Sequence, residues 1–159
     1  MYETLVRFVE TETDCFERSL QIGHVTGSAW IIDRSRSQAL LTHHFKLDRW
    51  LQLGGHADGD PDILRVALRE AREESGLEDI RPVSAAIFDV DVHPIPARGG
   101  EPRHLHYDVR FLLEADSDAP LVISSESKDL AWVPLADIKQ VTTEQSITRM
   151  AAKTSGWQG

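Results

Sequence analysis

The stretch that decides the fold is LQLGGHADGDPDILRVALREAREESGLEDI, from Leu51 to Ile80. Within it, apolar residues recur at spacings of three and four, acidic residues stand near the start, and a glycine follows the end. The apolar positions are Ile63, Leu64, Ala67, Leu68 and Ala71, with Asp60 and Asp62 before them and Gly76 after them. This pattern predicts a helix that packs its apolar face on a sheet.

Glu70, Glu73 and Glu74 share another face of the predicted helix. Like charges at this spacing destabilise a helix, so a positive charge is expected nearby. One interpretation is a solvated face paired with Arg65, Arg69 and Arg72. The other is a divalent cation, because Mg²⁺ and Mn²⁺ prefer oxygen ligands completed by water and phosphate. Gly55 would let the backbone approach such a ligand and offer its carbonyl oxygen.

The composition narrows the class of protein. A chain of 159 residues with 41% hydrophobic content predicts one domain over residues 1–159. The formal net charge of −9 argues against binding long nucleic acid, which requires clustered cations. The single cysteine, Cys15, excludes an internal disulfide and is interpreted as a packing residue in an N-terminal helix. Without a signal-peptide pattern or a long apolar run, we expect a cytoplasmic protein that does not bind membranes.

The rest of the chain predicts strands interleaved with helices. Residues 3–20 have apolar positions at helical spacing, and TTEQSITRMAAKT is expected to form the final helix. GSAWIID and QALLTHH read as a hairpin around RSRSQ, and the Gly54-Gly55 pair reads as a turn. Further β-like runs are VSAAIFDVDVH, HLHYDVRFLLEA and LAWVPL. The predicted fold class is α/β, with a mixed sheet and helices packed on it.

The segment GHADGDPDILRVALREAREESGL, from Gly55, resembles the Nudix box. That box is Gly, five residues, Glu, seven residues, then Arg-Glu-apolar-any-Glu-Glu-any-Gly-apolar. The matching positions are Gly55, Arg69, Glu70, Ala71, Glu73, Glu74, Gly76 and Leu77. Pro61 stands where the box has its first Glu, and Asp60 or Asp62 is expected to take over part of the role of that Glu.

The resemblance implies a Nudix-type α/β/α sandwich that hydrolyses a diphosphate linkage in a nucleoside diphosphate joined to another group, by attack of water on phosphorus. It implies that Glu73 and Glu74 bind Mg²⁺ or Mn²⁺ together with Gly55, that Glu70 is a further ligand or a base, and that Arg69 orients the carboxylates. The substrate would be a small diphosphate or nucleotide. The alternative is a catalytically silent Nudix-fold module that binds a nucleotide. The sequence leaves the oligomeric state open, including a homodimer.

A further acid is expected at the site. The segment SSESKDLAWVPLADI resembles the part of Nudix proteins in which a Glu before a Trp-containing strand reaches the metal or the attacking water. That position is Glu126. The alternative interpretation is an acidic residue in a surface loop, because Glu is mostly exposed.

Seven histidines form the other unusual feature of the sequence. His104, His106 and Asp108 alternate, so they share one face of a predicted strand. A second metal site could be formed by His56, His104 and His106, and His43, His44 and His93 are further candidate ligands. They could instead bind substrate phosphate together with Arg98, Arg103 and Arg110, or each could be an ordinary imidazole. The GGH segment also resembles isopentenyl-diphosphate isomerase, but Gly54 stands at its catalytic Cys, which argues against isomerase activity.

Overall fold

The computed structural model describes residues 1–154 and residue 156. Its elements in chain order are α1 (Tyr2–Thr11), β1 (Gly23–Asp33), β2 (Gln38–His44), β3 (Arg49–Leu51), β4 (Leu53–His56), α2 (Ile63–Ser75), β5 (Arg81–Pro82), β6 (Asp89–Ile95), β7 (His104–Ala115), β8 (Ser127–Pro134), a 3₁₀ turn (Leu135–Asp137), α3 (Ile138–Val141) and α4 (Gln145–Thr154). None of the helices among these residues combines the length and the apolar character that a bilayer-spanning helix needs.

The sheet is mixed, as predicted, and β1 lies at its centre. β1 pairs in parallel with β7 along its whole length, from Gly23 opposite Leu105 to Asp33 opposite Ala115. It pairs antiparallel with β2, which confirms the predicted hairpin, and with β4. β5 and β6 extend the sheet beyond β7, and β3 and β8 extend it beyond β2.

Apolar clusters lie on both faces of the sheet, so the architecture is the expected α/β/α sandwich. Alternate residues of β1 supply both clusters, because successive strand side chains point to opposite faces. Ala29 and Ile31 pack with Ala67 and Ala71 of α2. Trp30, Ile32 and Leu112 pack on the other face with Ile147 and Met150 of α4.

The N-terminal helix is shorter than predicted. It ends at Thr11 instead of residue 20, and Glu12 is already extended, with φ −108° and ψ 107°. The Thr11 hydroxyl donates to the Arg7 carbonyl at 3.0 Å, a local hydrogen bond that competes with helical structure. Cys15 is therefore not in a helix, although it is buried with 2% exposure, as a packing residue would be.

Two other predicted elements differ from the structure. Gly54 and Gly55 do not form a turn but lie within β4, opposite Ser28 and Gly27 of β1. The run that begins at Val83 becomes a strand only from Asp89. Val83 and Phe88 donate single backbone hydrogen bonds to the carbonyls of Leu112 and Arg110, and the residues between them are irregular.

Candidate active site

Helix α2 forms over the residues that the sequence predicted, with both ends fixed by local contacts. The Asp62 carboxylate accepts a hydrogen bond from the Arg65 backbone N–H at 3.1 Å, which caps the N-terminus. Gly76, with φ 72°, ends the helix in the left-handed conformation that favours glycine. Pro61 precedes the cap and is exposed, so Asp62 supplies the support of the helix start.

Both glycines of β4 lie too close to their neighbours to carry a side chain, Gly55 against helix α2 and Gly54 against strand β1. A Cβ atom on Gly55 would lie 2.5 Å from the carboxylate carbon of Glu70. A Cβ atom on Gly54 would lie 2.8 Å from both the Gly27 carbonyl oxygen and the Ser28 Cα atom. The glycine pair therefore serves close packing, and it brings the Glu70 carboxylate against the backbone of β4.

Glu74 is the most deeply buried acid of α2, with 7% exposure. Its carboxylate accepts a hydrogen bond from the Gly54 backbone N–H at 2.9 Å. Burial raises the pKa of Glu74 to about 8, against the lowering effect of this hydrogen bond, and the charges of Glu70, Glu126 and Glu73 raise it further. A bound cation would stabilise the ionised form of a carboxylate in such surroundings.

Glu70 is held between the helix and the strand by Arg69. The Arg69 guanidinium donates to Glu70 Oε1 at 2.9 Å and to the His56 carbonyl oxygen at 2.8 Å. Burial raises the pKa of the Glu70 carboxyl, and Arg69 acts in the opposite direction. The interpretation of α2 as an acidic face paired with arginines fits Glu70 in part, whereas Arg65 bonds to Asp60 instead.

Glu73 and Glu126 are both exposed. Glu126 lies just before β8, and its carbonyl oxygen accepts a hydrogen bond from the Phe45 N–H at 2.8 Å. The charges of both residues raise the pKa of Glu70 and of Glu74, which places four carboxylates within electrostatic reach of one another. Acids from two separate segments therefore converge beside β4.

This donor set fits a divalent cation of the Mg²⁺ type. It contains hard carboxylate oxygens, one of them deeply buried, beside the backbone of Gly55, where a side chain would collide with Glu70. Within the described residues, the carboxylates do not form a group of three with all donor oxygens inside 4.8 Å. A bound cation would offset the repulsion between these carboxylates.

The predicted histidines separate into two groups. His56, His104 and His106 come together, and they are joined by His24 of β1, which the sequence analysis missed. His24 lies opposite His106 in the parallel β1–β7 pair, a contact that the alternation within one strand does not reveal. His43 instead stacks on Trp50. His93 of β6 lies beside the cluster, opposite His106 and with its ring centroid 5.7 Å from that of His106, but its Nδ1 atom is 3.0 Å from the Asp91 carboxylate.

Arg110 does not contribute to a phosphate site. It is buried with 2% exposure and its guanidinium donates to Asp108 at 2.7 Å, with Asp89 and Asp91 nearby. The Asp108 carboxylate also does not join the histidines, because it accepts hydrogen bonds from the Thr26 and Ser28 hydroxyls. Arg98 and Arg103 are exposed.

Comparisons with known proteins agree with this geometry. The family model for the NUDIX domain matches residues 23–152. Among solved structures, an Ap4A hydrolase of C. elegans in a binary complex has a TM-score of 0.67 and 17% identity, over 83% of this chain and 95% of that chain. A NUDIX-family hydrolase from Clostridium perfringens has a TM-score of 0.64 and 24% identity, over 82% and 95% of the two chains.

A NUDIX domain solved with a bound nucleotide is also similar. The NUDIX domain of Shewanella oneidensis NrtR, solved with ADP ribose, has a TM-score of 0.56 and 17% identity, over 95% of this chain and 96% of that chain. A search of curated protein sequences found no significant match. Because the family model covers most of the chain, the protein belongs to the Nudix hydrolase family.

Proposed function

We propose that the protein is a Mg²⁺- or Mn²⁺-dependent hydrolase that cleaves the diphosphate linkage of a nucleoside diphosphate joined to another group. The observation that carries the proposal is the buried Glu74 carboxylate, bonded to the Gly54 N–H and surrounded by the charges of Glu70, Glu73 and Glu126. A structural ion pair would put a basic side chain beside Glu74, whereas a cation site needs several acids around one space.

Glu73 and Glu74 are the proposed principal metal ligands, with the Gly55 carbonyl oxygen as a neutral ligand. A bound divalent cation would neutralise phosphate oxygens and acidify a water molecule. Arg69 holds Glu70 against β4, so Glu70 is the better positioned acid to accept the proton of the attacking water. Glu126, which is exposed, is the alternative proton acceptor or a further ligand.

The proposed substrate class is a small nucleotide with a diphosphate or longer phosphate chain. Support comes from the family and from the nucleotide names attached to two similar structures, the Ap4A hydrolase and the NrtR domain with ADP ribose. The net charge of −9 disfavours the approach of an anionic substrate, so a bound cation would favour binding of its phosphates.

The second candidate function is nucleotide binding without turnover. The NrtR domain, which was solved with ADP ribose and is similar over 95% of this chain, supports nucleotide binding, whereas Glu70, Glu73 and Glu74 at their box positions favour the enzyme. Both candidates predict nucleotide binding, so a binding assay does not separate them.

A hydrolysis screen separates them. Purified protein with Mg²⁺ or Mn²⁺ is incubated with dinucleoside polyphosphates, nucleotide sugars, nucleoside triphosphates and prenyl diphosphates, and products are resolved by chromatography. We expect cation-dependent cleavage of a nucleotide, with ¹⁸O from labelled water in a phosphate-containing product. Tight nucleotide binding without cleavage would favour the silent module, and ¹⁸O found only in a carbon-bearing fragment would contradict attack at phosphorus.

A further inference from the structure

Four imidazoles converge on one face of the sheet, outside the acidic site. His24 lies on β1, His56 on β4, and His104 and His106 on β7. The His24 ring centroid is 5.1 Å from that of His56, 5.0 Å from that of His104 and 4.8 Å from that of His106. Strand pairing fixes this arrangement, because His24 is directly opposite His106 and Thr26 is directly opposite His56.

We propose that His24, His56, His104 and His106 bind a transition-metal ion of the Zn²⁺ class, in a second site that is chemically distinct from the carboxylate site. Imidazole nitrogens suit Zn²⁺, Co²⁺ and Ni²⁺, whereas Mg²⁺ prefers oxygen. One donor nitrogen from each of His24, His56 and His106 already lies within 4.8 Å of the others.

The nitrogen separations are close to those of a metal site. Two ligands of a tetrahedral ion with bonds of roughly 2.0–2.1 Å are about 3.3 Å apart. The His104 and His106 Nε2 atoms are 3.3 Å apart. The donor atoms of His24, His56 and His106, which lie within 4.8 Å of one another, would have to move closer together to bind one ion.

His24 supplies an independent observation. It is 3% exposed, and both of its ring nitrogens are buried without a hydrogen-bond partner in the described residues. Burying an imidazole without partners for its polar atoms is unfavourable, so such groups usually have a bonding role. A metal ion in the middle of the cluster would give the His24 lone pair that role.

The chemical state of the cluster also suits a metal. Burial and the neighbouring imidazoles lower the pKa of His24 to about 4 and that of His106 to about 2, so both are neutral near pH 7. The Leu20 backbone raises the pKa of His24 by a smaller amount, although it does not form a hydrogen bond of normal geometry with the ring. Neutral imidazole binds metals, whereas attraction of phosphate requires imidazolium, so the cluster favours the cation.

His104 is oriented for this role by its second nitrogen. Its Nδ1 lies 2.9 Å from the Pro102 carbonyl oxygen, which can only accept a hydrogen bond. The proton is therefore on Nδ1, and the Nε2 lone pair points toward His106. Such a backbone contact is the usual way in which a ligating histidine is fixed.

The cluster is accessible from solvent. His24, His56 and His104 line a cavity of about 360 Å³, together with Arg18, Gln21 and Glu101. An ion can enter by this route, and a water molecule or an anion can complete its coordination. Gly55 and His56 are adjacent in β4, so the two sites lie on opposite faces of one strand, because successive strand positions alternate.

Co²⁺ is the first probe, since a tetrahedral nitrogen site gives it visible d–d absorption. Untagged full-length protein, stripped with chelator, is titrated with Co²⁺ and then with Zn²⁺. We expect one tightly bound Co²⁺ per chain with the absorption of a tetrahedral nitrogen site, loss of this band when Zn²⁺ is added, and anomalous density among the four imidazoles in Zn²⁺-grown crystals.

Two variants and two controls assign the site. His106→Gln and His56→Gln should each weaken Zn²⁺ binding at least 100-fold, while His43→Gln, which removes an imidazole outside the cluster, and Glu73→Gln should leave it unchanged. Circular dichroism identifies a variant that fails to fold, and the half-buried His56 is then the deciding position. Absence of the Co²⁺ band, or its loss in Glu73→Gln but not in a folded cluster variant, would overturn the proposal.

Discussion

Replacing Gly55 by Ala would move the carboxylate of Glu70, the proposed proton acceptor, while leaving the fold in place. The added Cβ would lie 2.5 Å from the Glu70 carboxylate carbon, so that carbon must withdraw by about 1 Å to reach ordinary contact distance. The atoms met are the end of a flexible side chain, and Gly55 does not have a positive φ. We therefore expect a stability change within about 1 kcal/mol.

The effect on catalysis should be much larger. A misplacement of about 1 Å at a catalytic group lowers the rate on the order of 100-fold. Gly55→Ala should therefore lose most of its Mg²⁺-dependent turnover at nearly unchanged stability. The Gly55 carbonyl oxygen is retained in this variant, so the loss would report on Glu70.

Gly54→Ala is the matched control. Its Cβ would lie 2.8 Å from the Ser28 Cα atom and from the Gly27 carbonyl oxygen, which belong to the backbone of the central strand and cannot rotate away. We expect overpacking to cost about 1–3 kcal/mol of unfolding free energy. The two variants should therefore differ in stability, with Gly54→Ala destabilised and Gly55→Ala nearly unchanged. Activity is interpreted for Gly55→Ala alone, because the Gly54 N–H bonds to Glu74.

The assay combines urea unfolding with initial rates on the substrate that the hydrolysis screen identifies. Wild type, Gly54→Ala and Gly55→Ala are compared at saturating Mg²⁺. Full turnover by Gly55→Ala would refute the close contact between β4 and Glu70. Equal destabilisation of the two variants would refute the distinction between side-chain and backbone contacts.

Two further predictions concern single acids. Glu74→Gln keeps an acceptor for the Gly54 N–H and removes a buried charge, so in EDTA its Tm should be no lower than that of wild type. The increase in Tm that Mg²⁺ produces should be smaller in this variant. If differential scanning calorimetry showed an unchanged increase, Glu74 would not be a ligand. A hydrogen bond from His93, with Arg110 and Arg149, lowers the pKa of Asp91 from 3.8 to about 2. This interaction contributes about 2 kcal/mol that is present above pH 4 and lost as the pH falls through 2, so the stability gap of Asp91→Asn should close over that range in urea titrations; a constant gap would contradict the assignment.

The local parts of the fold were predictable from sequence. Helix α2 was predicted between its correct ends because Asp62 and Gly76 act on their own backbone. The Gly54-Gly55 pair was misread, because glycine serves both turns and close approaches. Only contacts with Ser28 and Glu70, distant in sequence, decide between the two.

The site was predictable in part for the same reason. Residues spaced along α2 identify the acids, since a helix brings them to one side. His24 was missed because it joins the other histidines through a parallel strand pair, whose register no local signal specifies. The phosphate interpretation of Arg110 was wrong because its buried partners lie on strands β6 and β7.

The role proposed for the acids of α2 is cation-dependent hydrolysis. Mg²⁺-dependent turnover is compared in wild type, Glu73→Gln and Arg72→Gln, which change neighbouring exposed residues of one helix. We expect Glu73→Gln to lose most of the rate because a proposed metal ligand is neutralised, while Arg72→Gln keeps it and both remain folded. Unchanged turnover in Glu73→Gln at saturating Mg²⁺ would contradict this role for the acids.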